Sequence, residues 1–320
     1  MTSGQGPTPH HMGAREWFLL IFLSAIWGTS FLVIKVALTA LPPFTIVMFR
    51  VGFATMGLYV AARLLGIKYE KPAGVLTISI VGAFLLLALF NNVVPFSLIV
   101  WGQDQISTTL ASILNATMPL FTVFLAHFFA PDERISARKL AGVIIGFFGV
   151  VAVILPTARE TLGGSFWGQM AMLGAACSYG MAAVMARRFN RFGLLPFHIA
   201  LGQVGIATFI MIPVAMVVDE PWRLPMPGAN VWAALLVLSL VCSAFAYVLY
   251  FRLIKTAGAT NASLVTLLVP VVAILLGVSL LGEIFAAEQA LGLALIALGL
   301  LTIDGRPYKY FRMRLASLQN

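Results

Sequence analysis

Polar and aromatic side chains recur inside segments of this sequence that are otherwise apolar. Ser239, Ser243, Tyr247 and Tyr250 follow one another at steps of three or four residues, which places them on one face of a helix. Hydroxyl groups and rings in such a row could bind a small amphipathic molecule by hydrogen bonding and stacking. They could also join neighbouring helices, since Ser side chains often do so in membrane proteins.

Further candidates for a binding site lie in equally apolar surroundings. Asn91 and Asn92 form a conspicuous amide pair, whereas Trp27 and Tyr179 offer large rings that carry a polar group and could otherwise simply fill a core. Polar groups inside membrane spans normally face the bundle interior or a cavity. The candidate substrate-cavity residues are Trp27, Asn91, Asn92, Asn115, Tyr179, Ser243, Tyr247 and Tyr250.

Ionisable side chains within the apolar segments are few. Arg50 could attract a carboxylate, form a structural ion pair or cap backbone carbonyls, and Lys35 could be solvated near a segment end. Either cation could also form a gate with Asp104 or Glu283. Because no Asp or Glu lies at the centre of an apolar segment, proton coupling through a buried carboxylate is disfavoured.

Sequence signatures of catalysis and of metal binding are missing. There is no HExxH, GxSxG or P-loop pattern, and the His and Cys residues lack metal-ligand spacing. The sequence therefore predicts a protein that is not an enzyme and that needs no metal or cofactor. A membrane enzyme acting on lipid-linked substrates is the alternative from another class.

The composition excludes a water-soluble fold. Hydrophobic residues make up 61% of the chain and charged residues 10%, with a mean hydropathy of +0.99. Unbroken apolar runs of about 20 residues predict transmembrane helices, not strands. We predict ten helices, at residues 17–36, 44–62, 75–101, 106–129, 140–155, 166–186, 197–218, 231–251, 259–281 and 286–303.

The distribution of positive charge orients these helices. If the N-terminus is cytoplasmic, most of the 20 Lys and Arg residues fall in cytoplasmic segments, and only Lys35, Arg159 and Arg223 fall outside. Both termini are therefore predicted to be cytoplasmic. Spread over short loops and tails, the formal charge of +9 gives no reason to expect a nucleic-acid partner.

A pattern of spaced residues occurs twice. Its members are Thr109–Ser112, Pro119, Glu133, Gly142 and Gly149 in the first copy, and Thr260–Ser263, Pro270, Glu283, Gly292 and Gly299 in the second. Because each copy holds five helices, an odd number, the second must enter the membrane upside down. The predicted domains are a flexible tail (1–16), two inverted five-helix repeats (17–155 and 166–304) and a basic tail (305–320).

Inverted repeats are how many secondary transporters build two conformations around one site at the midplane. Pro119 and Pro270 occupy matching positions in helices four and nine, where each removes a backbone hydrogen bond. They could act as hinges for opposite gates or as static kinks. At another matching position, the second repeat has Gln203 where the first has Arg50.

The run Trp27–Phe31, together with Lys35, Arg50 and the doubled proline–glutamate pattern, resembles the drug/metabolite transporter superfamily, specifically its ten-helix proteins with two EamA repeats. The resemblance implies a multi-pass exporter in the bacterial inner membrane, with helices 1–4 and 6–9 around a central cavity. Within the superfamily the sequence is most similar to exporters of aromatic and other amino acids, which are also linked to methyl viologen export.

The expected function is secondary transport, with export of small metabolites, most of all amino acids, by alternating access. Uniport or weak coupling fits the lack of buried carboxylates. Organic cations or drugs and nucleotide sugars are the alternative substrate classes. The expected partners are a small-molecule substrate and membrane lipid, and the protein is expected to be a monomer or a homodimer.

Overall fold

A computed structural model describes residues 13–67, 78–129, 135–160, 164–186, 189, 192–257, 259–262 and 264–304. Within these residues all regular structure is helical. Nine described helices are long and apolar enough to cross a membrane, and Val265–Leu281 is a shorter apolar tenth. The predicted all-helical membrane architecture is therefore confirmed. The predicted tails lie almost entirely outside the described residues, although the first helix already begins at Ala14.

We number the membrane-spanning segments as spans 1 to 10 in chain order. Spans 1 to 5 are Ala14–Ala37, Pro43–Leu64, Ile80–Gln105, Thr108–Phe129 and Ala137–Glu160. Spans 6 to 10 are Gly164–Ala186, Pro196–Val218, Ala229–Tyr250, Val265–Leu281 and Ala287–Asp304. The helix of span 8 continues beyond Tyr250 to Ala257.

Local sequence explains several of these boundaries. Spans 2 and 7 both begin with proline, which fits the first turn of a helix because its missing N–H would have no partner there. Ser107 caps span 4, since its side chain accepts a hydrogen bond from the backbone N–H of Leu110. Span 9 ends at Gly282, whose φ of 66° suits a residue without a Cβ atom.

Spans 3 and 8 each contain a π-helical turn. The turn Leu89–Val93 in span 3 contains Asn91 and Asn92, and the turn Val237–Phe245 in span 8 contains Ser243. Such turns leave some backbone groups without their usual helical partners and occur often at functional sites. Polar residues that the sequence singled out in both halves of the chain therefore lie where the helices depart from regular geometry.

Span 4 is interrupted, which the sequence did not predict. Its helix stops at Asn115 and restarts at Met118, so that Pro119 is the second residue of a new segment. Proline is tolerated there because the first N–H groups of a helix lack intrahelical partners. Pro270, in contrast, lies inside the helix of span 9.

Spans 5 and 10 pack through glycines. A Cβ atom added to Gly142 would lie 2.6 Å from the carbonyl oxygen of Gly299, and one added to Gly149 would lie 2.7 Å from that of Gly292. Backbones can approach this closely only where both helices carry small residues. The sequence predicts small faces for close helix contact, within the monomer or at a dimer interface, at Gly142, Gly146, Gly149, Gly292 and Gly299. The structure has this contact between spans 5 and 10 of one chain.

The remaining spans interleave the two halves of the chain. Span 1 packs against spans 8 and 9, span 6 against spans 3 and 4, and span 2 against spans 7 and 8. The hydroxyl oxygens of Thr55 and Thr208 lie 2.9 Å apart and join spans 2 and 7. The centre of the bundle is therefore built from helices of both halves.

Candidate functional site

Arg50 is a buried cation about two turns into span 2. Its Nε atom donates a hydrogen bond of 3.1 Å to Oγ of Ser243, and its guanidinium carbon lies 3.6 Å from the centre of the Phe96 ring. The residue is only 6% exposed. Among the described residues, its two terminal nitrogens have no hydrogen-bond or ion-pair partner. The guanidinium is thus held at one edge and one face, and its terminal nitrogens make no hydrogen bond within the described part of the chain.

Ser243 is oriented by the π-helical turn of span 8. Its hydroxyl donates a hydrogen bond of 3.0 Å to the carbonyl oxygen of Leu238, five residues earlier. Because a hydroxyl has only one proton to donate, the oxygen faces Arg50 as an acceptor. Irregular geometry in span 8 therefore positions a charged group of span 2.

Aromatic rings surround this cation. Tyr179 and Tyr247 both lie within electrostatic range of Arg50. The ring of Tyr179 meets that of Phe96 edge-on, with centroids 6.5 Å apart. These contacts bring together side chains from spans 2, 3, 6 and 8.

Amide groups of span 3 complete the cluster. The hydroxyl of Tyr247 donates a hydrogen bond of 3.2 Å to Oδ1 of Asn92, whose Nδ2 is buried without a partner among the described residues. Nδ2 of Asn91 donates a bond of 2.9 Å to Oε1 of Gln203, the residue at the position matching Arg50. Each of the two matched positions is thus bound to the irregular turn of a span in the other half.

Span 1 joins the cluster through Trp27. The centroids of the Trp27 and Tyr250 rings lie 5.3 Å apart. Next to Trp27 in span 1, the carbonyl oxygen of Ile26 accepts a hydrogen bond of 3.3 Å from the thiol of Cys242 in span 8. We call the resulting set the central cluster. It comprises Trp27, Arg50, Asn91, Asn92, Phe96, Tyr179, Gln203, Cys242, Ser243, Tyr247 and Tyr250.

Most of the predicted site residues thus lie in contact with one another, and two do not join them. Asn115 ends the first segment of span 4, where its Oδ1 is buried without a partner among the described residues. Lys35 lies at the end of the bundle. Phe96 was missed because a phenylalanine in an apolar run gives no signal of its contact with a cation.

A second set of charges lies where span 3 ends and span 4 begins. Nζ of Lys35 donates to the carbonyl oxygens of Gln103, at 2.7 Å, and Ile106, at 3.2 Å. The carboxylate of Glu283 accepts from the backbone N–H groups of Thr108, at 2.6 Å, and Thr109, at 2.8 Å. The cation thus lies at a helix C-terminus and the anion at a helix N-terminus, which is the favourable arrangement for both helix dipoles.

We call these six residues the charged seam, which joins spans 1, 3 and 4 to the turn after span 9. They are Lys35, Gln103, Ile106, Thr108, Thr109 and Glu283. Within the described residues, Lys35 and Arg50 make no ion pair with Asp104 or Glu283, which were considered as gate partners from the sequence. Lys35 instead binds two backbone carbonyls, and Arg50 binds the hydroxyl of Ser243. Glu133, the repeat counterpart of Glu283, lies outside the described residues.

Two apolar grooves lie on the described surface, away from the central cluster. One, of about 490 Å³, lies between spans 2 and 7 beside Thr55 and Thr208, and the other, of about 390 Å³, lies between spans 9 and 10. Neither is lined by a residue of the central cluster. No group of three or more His, Cys, Asp or Glu residues that could hold a metal ion occurs in the described part of the chain.

Several known proteins are similar to this chain in sequence or in fold. The chain is 28% identical to the uncharacterized inner membrane transporter YedA of Escherichia coli K12 over 89% of either protein, and 24% identical to the uncharacterized transporter YoaV of Bacillus subtilis over 88% of this chain and 94% of that protein. A solved crystal structure superposes with a TM-score of 0.62 on 91% of this chain and 97% of its own, at 19% identity.

The family profile described as the EamA-like transporter family matches residues 15–155 and again residues 166–303. These two matches cover most of the chain, and the all-helical structure with its ten apolar spans agrees with them. The protein is a multi-pass membrane transporter that belongs to the EamA-like family.

Proposed function

We propose that this protein is a secondary transporter that exports small metabolites, in particular amino acids including aromatic ones, across the bacterial inner membrane. The observation that carries the proposal is the central cluster, in which a cation, amides, hydroxyls and rings from several spans converge in an apolar bundle. Such a site can pair with the polar end of an amino acid and stack against an aromatic side chain.

Alternating access is the mechanism we propose. Arg50 of span 2 binds Ser243 of span 8, while its counterpart Gln203 of span 7 binds Asn91 of span 3. Crossed contacts between equivalent positions favour two inverted repeats that meet at one site. With both termini cytoplasmic, the charged seam lies on the outer side, so the seam closes the outer entrance in this conformation, and Pro119 and Pro270 are candidate hinges.

The charges of the central cluster also bear on the alternative substrates and on the mode of coupling. A buried guanidinium without an acidic partner in the described residues repels organic cations, which disfavours a drug-like cationic substrate. No carboxylate lies among the residues of the central cluster, so uniport or weak coupling agrees with the site better than a proton relay through an acid does.

Counterflow in proteoliposomes tests the proposed function. Vesicles loaded with a candidate solute are given the labelled form outside, and amino acids, nucleotide sugars and organic cations are compared as separate panels. We expect labelled amino acids, aromatic ones included, to accumulate. Counterflow of only nucleotide sugars or only organic cations would overturn the substrate assignment, and turnover of a lipid-linked substrate without any flux would favour the enzyme alternative.

Replacing Tyr247 with phenylalanine tests the contribution of the cluster to transport. The change removes the hydroxyl that binds Asn92 and leaves the ring in place. Because a hydrogen bond contributes about 1 kcal/mol, we expect counterflow at subsaturating solute to fall roughly fivefold. Tyr59→Phe is the matched control, since Tyr59 is exposed on span 2 and binds only Arg63 one turn away. Equal losses in the two variants would contradict a specific role for Tyr247.

A further inference from the structure

The central cluster contains a positive charge without a matching negative charge in the described residues. Arg50 is buried, and its electrostatic neighbours Tyr179, Tyr247 and Cys242 carry no carboxylate. A buried cation is costly in an apolar bundle unless an anion or several acceptors surround it. Here only one acceptor, the hydroxyl of Ser243, is hydrogen-bonded to the guanidinium.

We infer that Arg50 is the specificity-determining residue of the transport site and binds a carboxylate of the transported solute through its two terminal nitrogens. The inference rests on the proposed function and defines the transported solutes by their carboxylate group. These solutes are small aromatic or aliphatic carboxylates, of which amino acids are only one part.

The geometry of the guanidinium selects a planar anion. Its Nε–H is already used by Ser243, and the ring of Phe96 covers one face of its plane. The pair of terminal nitrogens is what remains, and this pair matches the two oxygens of a carboxylate in a bidentate contact. Because Phe96 and Ser243 fix the orientation of the plane, the carboxylate meets a preorganised donor pair.

The lack of a carboxylate in the central cluster indicates that binding does not require an α-amino group on the solute. An ammonium group would need an acidic partner to offset its own burial, and no Asp or Glu belongs to the central cluster. The nearby acceptors are neutral hydroxyl and amide oxygens. A solute that keeps the carboxylate and lacks the amine should therefore bind at least as well as the amino acid does, whereas the amine without the carboxylate should not bind.

Three matched solutes test this inference on the full-length protein in detergent and in proteoliposomes. Phenylalanine has both charged groups, 3-phenylpropionate has only the carboxylate, and phenethylamine has only the amine. Binding is measured by ligand-induced thermal stabilisation, and transport by competition with labelled phenylalanine in counterflow. We expect 3-phenylpropionate to bind at least as tightly as phenylalanine, and phenethylamine to show no competition.

Two variants test whether carboxylate binding depends on Arg50. Arg50→Gln removes the charge and should weaken binding of both carboxylates at least about tenfold, because hydrogen bonds to charged groups are lost. Arg50→Lys keeps the charge without the planar fork, and should retain part of the affinity. If the glutamine variant does not assemble, as judged by size-exclusion chromatography, the lysine variant together with the three solutes on the wild type still decides the question.

Sodium chloride and sodium sulfate are each tested as competitors. They show whether the terminal nitrogens of Arg50 bind a solute carboxylate specifically or bind any inorganic anion. Competition by either salt as strong as that by 3-phenylpropionate would overturn the inference. Binding of phenethylamine equal to that of phenylalanine, or unchanged carboxylate affinity in both Arg50 variants, would overturn it while leaving amino-acid transport standing. If wild-type protein carries none of the panel solutes, the proposed function fails and this inference fails with it.

Discussion

Replacing Glu283 with glutamine is expected to weaken the charged seam and to open the entrance that we propose the seam closes. In the structure the carboxylate accepts two backbone N–H groups at the start of span 4, with oxygen–nitrogen distances of 2.6 and 2.8 Å. Glutamine is nearly isosteric but has one acceptor oxygen and no charge, so both the second bond and the interaction with the helix dipole are lost. We expect the closed form to lose about 1.5 kcal/mol, which corresponds to roughly tenfold in the equilibrium.

Cys242 is a native reporter for this opening. The residue is only 2% exposed and belongs to the central cluster, so a membrane-impermeant thiol reagent should reach its thiol slowly in the wild-type protein. In a Cys177→Ser background, the Glu283→Gln change should raise the rate of Cys242 labelling several-fold from the outer side.

Glu288→Gln is the matched control for the seam. Glu288 lies in the first turn of span 10, and its exposed side chain is not among the groups that bind span 4. This change should leave Cys242 labelling as it is in the wild type. Identical labelling rates in the Glu283 variant and the wild type would show that the carboxylate does not hold the outer entrance closed.

The largest loss of stability is expected from Gly149→Leu in span 5. Even a Cβ atom at this position would lie 2.7 Å from the carbonyl oxygen of Gly292 and 2.9 Å from the backbone nitrogen of Ile296. Both obstacles are backbone atoms of span 10, so no side-chain rotation relieves the overlap and the two helices must separate. Overpacking of this kind costs about 3 kcal/mol or more. We expect a lower unfolding midpoint and a smaller yield of monodisperse protein.

Gly82→Leu separates helix packing from the general effect of replacing a glycine. Gly82 is also helical, in span 3, but a Cβ atom there would meet nothing within 4 Å. Because leucine has the better helix propensity, this control should be neutral or slightly stabilising. If thermal unfolding of the two variants is affected equally, close contact between spans 5 and 10 is not what the glycine at position 149 provides.

The sequence predicted the spans well because each is a long apolar run, and hydropathy depends on composition more than on contacts. It also predicted close helix contact at the glycines of spans 5 and 10, since small residues let helix backbones approach, but it left open whether this contact lies within the monomer or at a dimer interface. Arg50 and Ser243 were both recognised as candidates. Their contact was not predicted, because it joins residues that are 193 positions apart.

Helix irregularities were the main feature that sequence reasoning missed. Ser239 and Ser243 were placed on one face by assuming regular α-helical spacing, whereas both lie in the π-helical turn of span 8. No residue type marks such a turn, because it depends on how backbone groups are satisfied by neighbouring helices. The break in span 4 was missed for a related reason, since Asn115, Ala116 and Thr117 are all compatible with a continuous helix.

The π-helical turns of spans 3 and 8 have a consequence for how the two halves of the chain can move. Because a π-helical turn interrupts the regular hydrogen-bond ladder, a helix can bend there while the parts on either side stay intact. Asn92 and Ser243 would then swing together with their own turns. Small bends of this kind could exchange ligand contacts between the halves while the tightly packed periphery stays still.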